Sequence, residues 1–190
     1  MNDRDFFNSL AFKWDEICNH DKIKLEKITD ISDFRKNSKI IDIGTGTGIM
    51  LSYLLKTEPS EITAIDISEN MLKIAESKYT EGKISFVHDD IFNFQGSEYD
   101  YALMYSVYPH FTDKTSLFEK IYALLSKGGA IIIAHSESRE KINEVHSGSS
   151  HVENHILDSA EKTVLIMEKY FKIIKIIDSD EMYYIKGIKE

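Results

Sequence analysis

The sequence predicts an α/β fold, a doubly wound sheet with helices on both faces, and three observations predict it. Short β-branched runs alternate with helical apolar stripes from Lys39 to Ala134. Runs such as IIDI at 40–43 and AIIIA at 130–134 are almost continuously apolar, as strands covered on both faces are. The last two runs, Phe171–Ile177 and Met182–Ile188, are separated only by Asp178–Glu181, which permits nothing but an antiparallel hairpin.

Taken in order, Phe7, Leu10, Ala11, Trp14 and Cys18 share one face of a single helix, and Ile23, Leu25, Ile28 and Ile31 mark a second before Asn37–Ser38 breaks the pattern. Lys39–Ile43 reads as the first strand, ended by Gly44–Gly48. Ile49, Met50, Leu51, Leu54 and Leu55 return to helical spacing until Pro59, and Ile62–Ile65 is the second strand. Ser68 is placed to cap the helix carrying Met71, Leu72, Ala75 and Tyr79. Ile84–Val87 and Tyr99–Tyr105 are the third and fourth strands. Leu117, Phe118, Ile121, Leu124 and Leu125 form a helix that Gly128–Gly129 stops, and Ala130–Ala134 is the fifth strand. Ala160, Val164 and Met167 mark the last helix before the hairpin. Such alternation forces parallel pairing, because each crossover returns the chain to the same edge. The expectation is a single domain of 190 residues, with 1–36 as a helical cover and 37–190 as the core.

Hydrophobic residues at 42% and charged residues at 29% are ordinary for a globular chain. A net charge of −9, with no cluster of Lys and Arg, argues against a nucleic-acid partner, which needs a basic face to neutralise phosphates. The longest apolar run is far too short to span a bilayer, so no membrane partner is expected. The N-terminal MNDRDFF does not read as a signal peptide, and the one cysteine, Cys18, fits a reducing cytoplasm. Oligomeric state is left open.

The segment Ile41–Gly48 ends a strand and opens a helix. Glycines there let the backbone turn tightly against a ligand, with the next helix's free N–H groups facing it. Its spacing, G-x-G-x-G, differs from the dinucleotide fingerprint G-x-G-x-x-G. Asp66 ends the second strand, where a carboxylate can accept both hydroxyls of a ribose or simply help cap the following helix. His88-Asp89-Asp90 ends the third strand, where a carboxylate can accept from an exocyclic amine.

The pieces KIIDIGTGTG, AIDISENMLKIAESK, ISFVHDDIFNF, YDYALMYSVYPHF and LLSKGGAIIIAHSESR together resemble the class I S-adenosylmethionine-dependent methyltransferases of the small-molecule type. The resemblance covers nearly all of the chain after about residue 36. It implies a Rossmann-like seven-stranded sheet of order 3-2-1-4-5-7-6 with strand 7 reversed. It implies S-adenosylmethionine as cofactor, S-adenosylhomocysteine as product and a small-molecule substrate. By the resemblance, Gly44, Thr45, Gly46 and Gly48 flank the methionine and ribose portions, with Asp42 near the methionine amino group. Asp66 holds the ribose, Ile67 and Met71 pack on adenine, and Asp89, Asp90 and Ile91 bind the adenine edge. Tyr105 and Ser106 lie beside the sulfur.

Methyl transfer from a sulfonium is an in-line displacement, so placement of donor and acceptor does most of the work. If a base is used, His110 is the candidate, since it alone in Tyr105–Phe111 titrates unperturbed near neutral pH. Tyr108, His110, His135, Arg139 and His146 are the candidate substrate-binding residues. Some relatives acting on planar amines carry an (Asn/Asp)-Pro-Pro-(Tyr/Phe) turn; Ser106-Val107-Tyr108-Pro109 departs from it, which counts against amides and exocyclic amines. His135, His146, His151 and His155 form either a polar substrate lid, the preferred reading, or with Cys18 and His20 a soft-metal site, His151 and His155 being at i, i+4. Trp14 and Phe12 could cover the cofactor. Thiol, amine, hydroxyl and metalloid acceptors all remain open. The rival readings are an NAD-dependent oxidoreductase and a non-catalytic S-adenosylmethionine-binding module.

Overall fold

Near-continuous β-branched runs can be buried only between two layers, and the computed structural model, which describes residues 2–80 and 82–190, arranges them so. The strands are β1 Lys39–Ile43, β2 Glu61–Asp66, β3 Ile84–His88, β4 Tyr99–Tyr105, β5 Leu125–His135, β6 Lys172–Asp178 and β7 Tyr183–Ile188. They form one seven-stranded sheet of order β3-β2-β1-β4-β5-β7-β6. The first four pairings along that order are parallel, and β7 runs antiparallel to both β5 and β6.

Alternate residues of each strand divide between two apolar layers. Ile131 and Ile133 face the layer built by Leu117, Phe118 and Ile121 of α6 (Lys114–Leu124) and Met167 of α8 (Ala160–Met167). Ala130, Ile132 and Ala134 face the opposite layer, built by Leu25 and Ile28 of α3 (Lys22–Ser32) and Leu51 and Leu54 of α4 (Leu51–Lys56). Between β2 and β3 runs α5, Glu69–Lys78, whose N-cap Ser68 accepts from the Met71 N–H at 3.2 Å as its sequence position predicts.

Local periodicity misreads four places. The apolar face from Phe7 to Cys18 is not one helix. It is α1 (Asp3–Leu10), a 3-10 turn at Ala11–Lys13 and α2 (Trp14–Ile17), and Cys18 is extended. Of the five expected face residues only Ala11 is fully buried, where the turn packs against α5, and tertiary contact overrides the helical period. Ile23, expected on the buried face of α3, is 75% exposed. Gly128–Gly129 do not stop α6; the helix ends at Leu124, and Leu125 already pairs with Tyr99, placing both glycines within β5. His151 and His155 lie in turns rather than on a helix. The remaining helix, α7, spans Arg139–Ser147.

Because both faces are covered, Ile132→Ala and Ile133→Ala should each cost about 2–5 kcal/mol in urea unfolding. Ile174→Ala, 47% exposed on the outer strand β6, should stay within about 0.5 kcal/mol. Tolerance at either Ile132 or Ile133 would contradict the two-layer core.

Candidate active site

The chain leaves β1 through a turn whose backbone makes room for a ligand. Gly44 has φ +69°, and its N–H donates to the Ile65 carbonyl at 2.8 Å. A Cβ on Gly44 would stand 2.4 Å from Val107 Cγ2, so only glycine lets this turn lie against the loop after β4. Gly46 has φ +56°, and a Cβ there would meet nothing within 4 Å, because that side opens into a cavity. The Gly46 N–H donates to Asp66 Oδ2 at 2.8 Å, and the Ser68 N–H donates to Asp66 Oδ1 at 2.8 Å. Asp66 thus lines the cavity and also steadies the start of α5.

The cavity, about 290 Å³, lies at the carboxyl ends of β1, β2 and β4. That is where open α/β sheets bind ligands. Asp42, Gly44, Thr45, Gly46, Asp66, Ile67, Met71, Asp89, Asp90, Ile91 and Tyr105 all line it, as does His110. Gly48 is not among the lining residues; its N–H closes the turn onto the Thr45 carbonyl at 2.9 Å. Asp42 is buried and accepts from Thr45 Oγ1 at 2.6 Å. Burial, with Asp66 nearby, pushes its carboxyl up to about 7 despite that hydrogen bond. Burial likewise raises Asp66 above the ordinary carboxylate range. Asp90 Oδ1 accepts from the Phe92 N–H at 3.0 Å, and Asp89 Oδ1 from the Asp90 N–H at 2.8 Å, which holds the loop after β3 in shape.

At the other end, the Tyr105 hydroxyl hydrogen-bonds His20 Nδ1 at 2.7 Å and Ser136 Oγ at 2.8 Å, and burial pushes it up to about 12. Ser106, at φ +54°, lines the cavity in a backbone conformation that non-glycine residues rarely adopt. His110 Nδ1 lies 2.8 Å from His155 Nδ1, and burial lowers its pKa well below the usual histidine value.

The expected substrate residues divide. His146 packs beside His110 with ring centroids 5.1 Å apart and bonds the His155 carbonyl through Nδ1. Tyr108 turns into the core, stacked on Phe118 at 5.9 Å. Arg139 is directed at Asp178, 3.4 Å away, and at Glu140. His135 is 1% exposed beneath the site, its ring against Tyr183, and burial pushes it down to about 3. None of Tyr108, His135, Arg139 and His146 lines the cavity. Among the described residues, no three of His, Cys, Asp and Glu gather in a metal-holding arrangement.

Two lining residues escaped the sequence reading: Asp3 and Phe7 reach the cavity from α1. Of the two expected cover residues, Trp14 lines the cavity from α2, whereas Phe12 is 74% exposed. Asp15 accepts from Thr47 Oγ1 at 2.5 Å and from Lys78, fastening α2 to the glycine turn. Asn8 Oδ1 accepts from Ser68 Oγ at 2.8 Å and from the Asn70 N–H at 3.1 Å, fastening α1 to α5. Trp14 alone carried a signal, as an apolar residue on the cover.

Residues 41–133, which carry the turn and Asp42, Asp66, Asp89 and Asp90, match the model of a methyltransferase domain family. Malonyl-[acyl-carrier protein] O-methyltransferase of Priestia megaterium is 27% identical over 150 residues, covering 76% of this chain and 54% of that protein. Phosphoethanolamine N-methyltransferase 2 of Caenorhabditis elegans is 30% identical over 114 residues, 57% of this chain and 26% of that protein. The chain spans about half the length, or less, of these curated relatives. A solved S-adenosylmethionine-dependent methyltransferase from Aquifex aeolicus shares the fold, with TM-score 0.74, 15% identity and full coverage of both chains. Motif, sheet order and family match agree: residues 41–133 match a methyltransferase domain, and the sheet has the fold of solved S-adenosylmethionine-dependent methyltransferases.

Proposed function

We propose that this chain transfers a methyl group from S-adenosylmethionine to a small-molecule acceptor. The observation that carries the reading is the convergence of Asp42, Asp66, Asp89–Ile91 and the Gly44–Gly46 turn on one cavity that also holds Tyr105, Ser106 and His110. The residues fit the donor. The open space at Gly46 leaves room for its ribose and methionine chain, Asp66 supplies the carboxylate for ribose hydroxyls, and Ile67, Met71 and Ile91 supply apolar surface for adenine. Asp42, buried without a cationic partner among the described residues, gains one in the donor's ammonium group.

When bound, S-adenosylmethionine supplies a methyl group on a sulfonium, an electrophile that needs no activation. The chain's contribution is to hold the acceptor in line, exclude water and receive a proton. His110 is the proton acceptor: burial keeps its imidazole neutral at pH 7. His155 Nε2 faces Asp3 at 4.0 Å, and a proton kept there frees His155 Nδ1 to accept from His110 Nδ1–H. His110 Nε2 then carries the lone pair. Tyr105, bridged between His20 and Ser136, walls the site between donor and acceptor.

Isothermal calorimetry tests the donor reading: S-adenosylhomocysteine should bind and NAD should not, and binding of NAD alone would reverse it. Asp66→Asn should weaken S-adenosylhomocysteine binding about tenfold or more, since the amide loses the charge that hydroxyl donors favour. Affinity should also rise by roughly tenfold between about pH 5.5 and 7.5, because the ammonium group pairs only with ionised Asp42, whose carboxyl titrates at about 7. Asp42→Asn should flatten that rise. His110→Gln should leave S-adenosylhomocysteine affinity within about threefold while lowering the rate of its formation by roughly a hundredfold.

A further inference from the structure

The part of the cavity lined by the N-terminal cover has its own chemistry. Phe7 packs edge-on against Trp14 at 5.7 Å between centroids and against His110 at 5.1 Å. Asp3 lines the same cavity, and its carboxylate accepts from His151 at 2.9 Å. His20 and His110 add no positive charge, since burial lowers the basicity of both. Among the described residues, no lysine or arginine lines any part of the cavity. Lys78 is held by Asp15, Lys24 by Glu137 and Lys114 by the Tyr108 carbonyl.

An anionic acceptor entering here would shed its hydration beside Asp3 with no opposing charge among the described lining residues. A cation meets the Asp3 carboxylate and the rings of Phe7 and Trp14, whose π systems attract positive charge. We infer that the acceptor is an aliphatic amine, taken up as its ammonium ion, and not a carboxylate, phosphate or oxyanion. The inference rests on the methyltransferase reading and narrows it. In the transfer, the ammonium ion gives one proton to His110. The freed lone pair then forms the N–C bond as the donor's C–S bond breaks, leaving its electron pair on sulfur. The proton leaves by way of His155, 2.8 Å from His110, toward Asp3.

Trp14 is the chain's only tryptophan, so its fluorescence reports on this end of the cavity. The test titrates the full chain with 2-phenylethylamine, 3-phenylpropanoate and 2-phenylethyl phosphate, each with and without saturating S-adenosylhomocysteine. Calorimetry with S-adenosylhomocysteine alone runs beside it. The amine should saturate the Trp14 signal at least tenfold more tightly than either anion, and Asp3→Asn should shrink that preference severalfold. Equal or tighter binding of an anion, or an amine that fails to saturate at millimolar concentration, overturns the acceptor class. A chain that shows the charge preference but ignores S-adenosylhomocysteine sinks the methyltransferase reading instead and leaves the amine site standing.

Discussion

The Asp66 carboxylate is a charge placed where water barely reaches, and the site is built around keeping it there. Its two oxygens each accept one backbone N–H, from Gly46 on the turn after β1 and from Ser68 at the start of α5. Without those donors, burial of an ionisable group at the end of β2 would be strongly unfavourable. With them, three separate pieces of chain meet at one point: the end of β2, the glycine turn and the cap of α5. The parallel pairing of β1 with β2 then fixes how far the turn stands from the acid, since Ile43 is in register with Ile65.

A second contact joins this wall to the loop after β4. Val107 sits so close to Gly44 that no side chain fits between them, and Ser106 beside it adopts a left-handed backbone. Strain of this kind persists only where the surroundings over-determine it. Here the Ser106 N–H is held by the Ala134 carbonyl at 2.9 Å, so β5 fixes the loop that carries His110. The position of His110 relative to the glycine turn is therefore set by strand pairing and close packing, not by a mobile loop.

The sheet was legible because its causes are local. Apolar runs such as Ile131–Ile133 declare two-sided burial, Ser68 declares a cap, and four residues between the last runs declare a hairpin. The motif acids stood out too, as each lies at or within two residues of a strand's carboxyl end. What escaped depends on contacts distant in sequence. The helical period runs on from Phe7 through Cys18, but Asn8 and Asp15 bond residues about sixty positions later, and the chain bends at Ala11–Lys13 to reach them. Gly128–Gly129 have the composition of a helix stop, yet pairing of Leu125 with Tyr99 had already ended the helix. Among the histidines, spacing suggested His151 with His155 on a helix. The contact aimed at the cavity joins His155 to His110, forty-five positions apart, which no local pattern encodes. Arg139 shares the helical face of His146, but Asp178, on the strand hairpin, draws it away.

The bend in the N-terminal segment has a consequence for catalysis. The piece that delivers Asp3, Phe7 and Trp14 to the cavity is fastened to the glycine turn through Asp15 on Thr47 and to α5 through Asn8 on Ser68 and Asn70. Surface ion pairs such as Asp15 with Lys78 contribute little when they stand alone. Here the pair shares its carboxylate with Thr47 on the glycine turn, and α1 is tied independently to the cap that also positions Asp66. The glycine turn and the cover over the cavity are therefore one connected piece, so a substitution that loosens either contact reaches both.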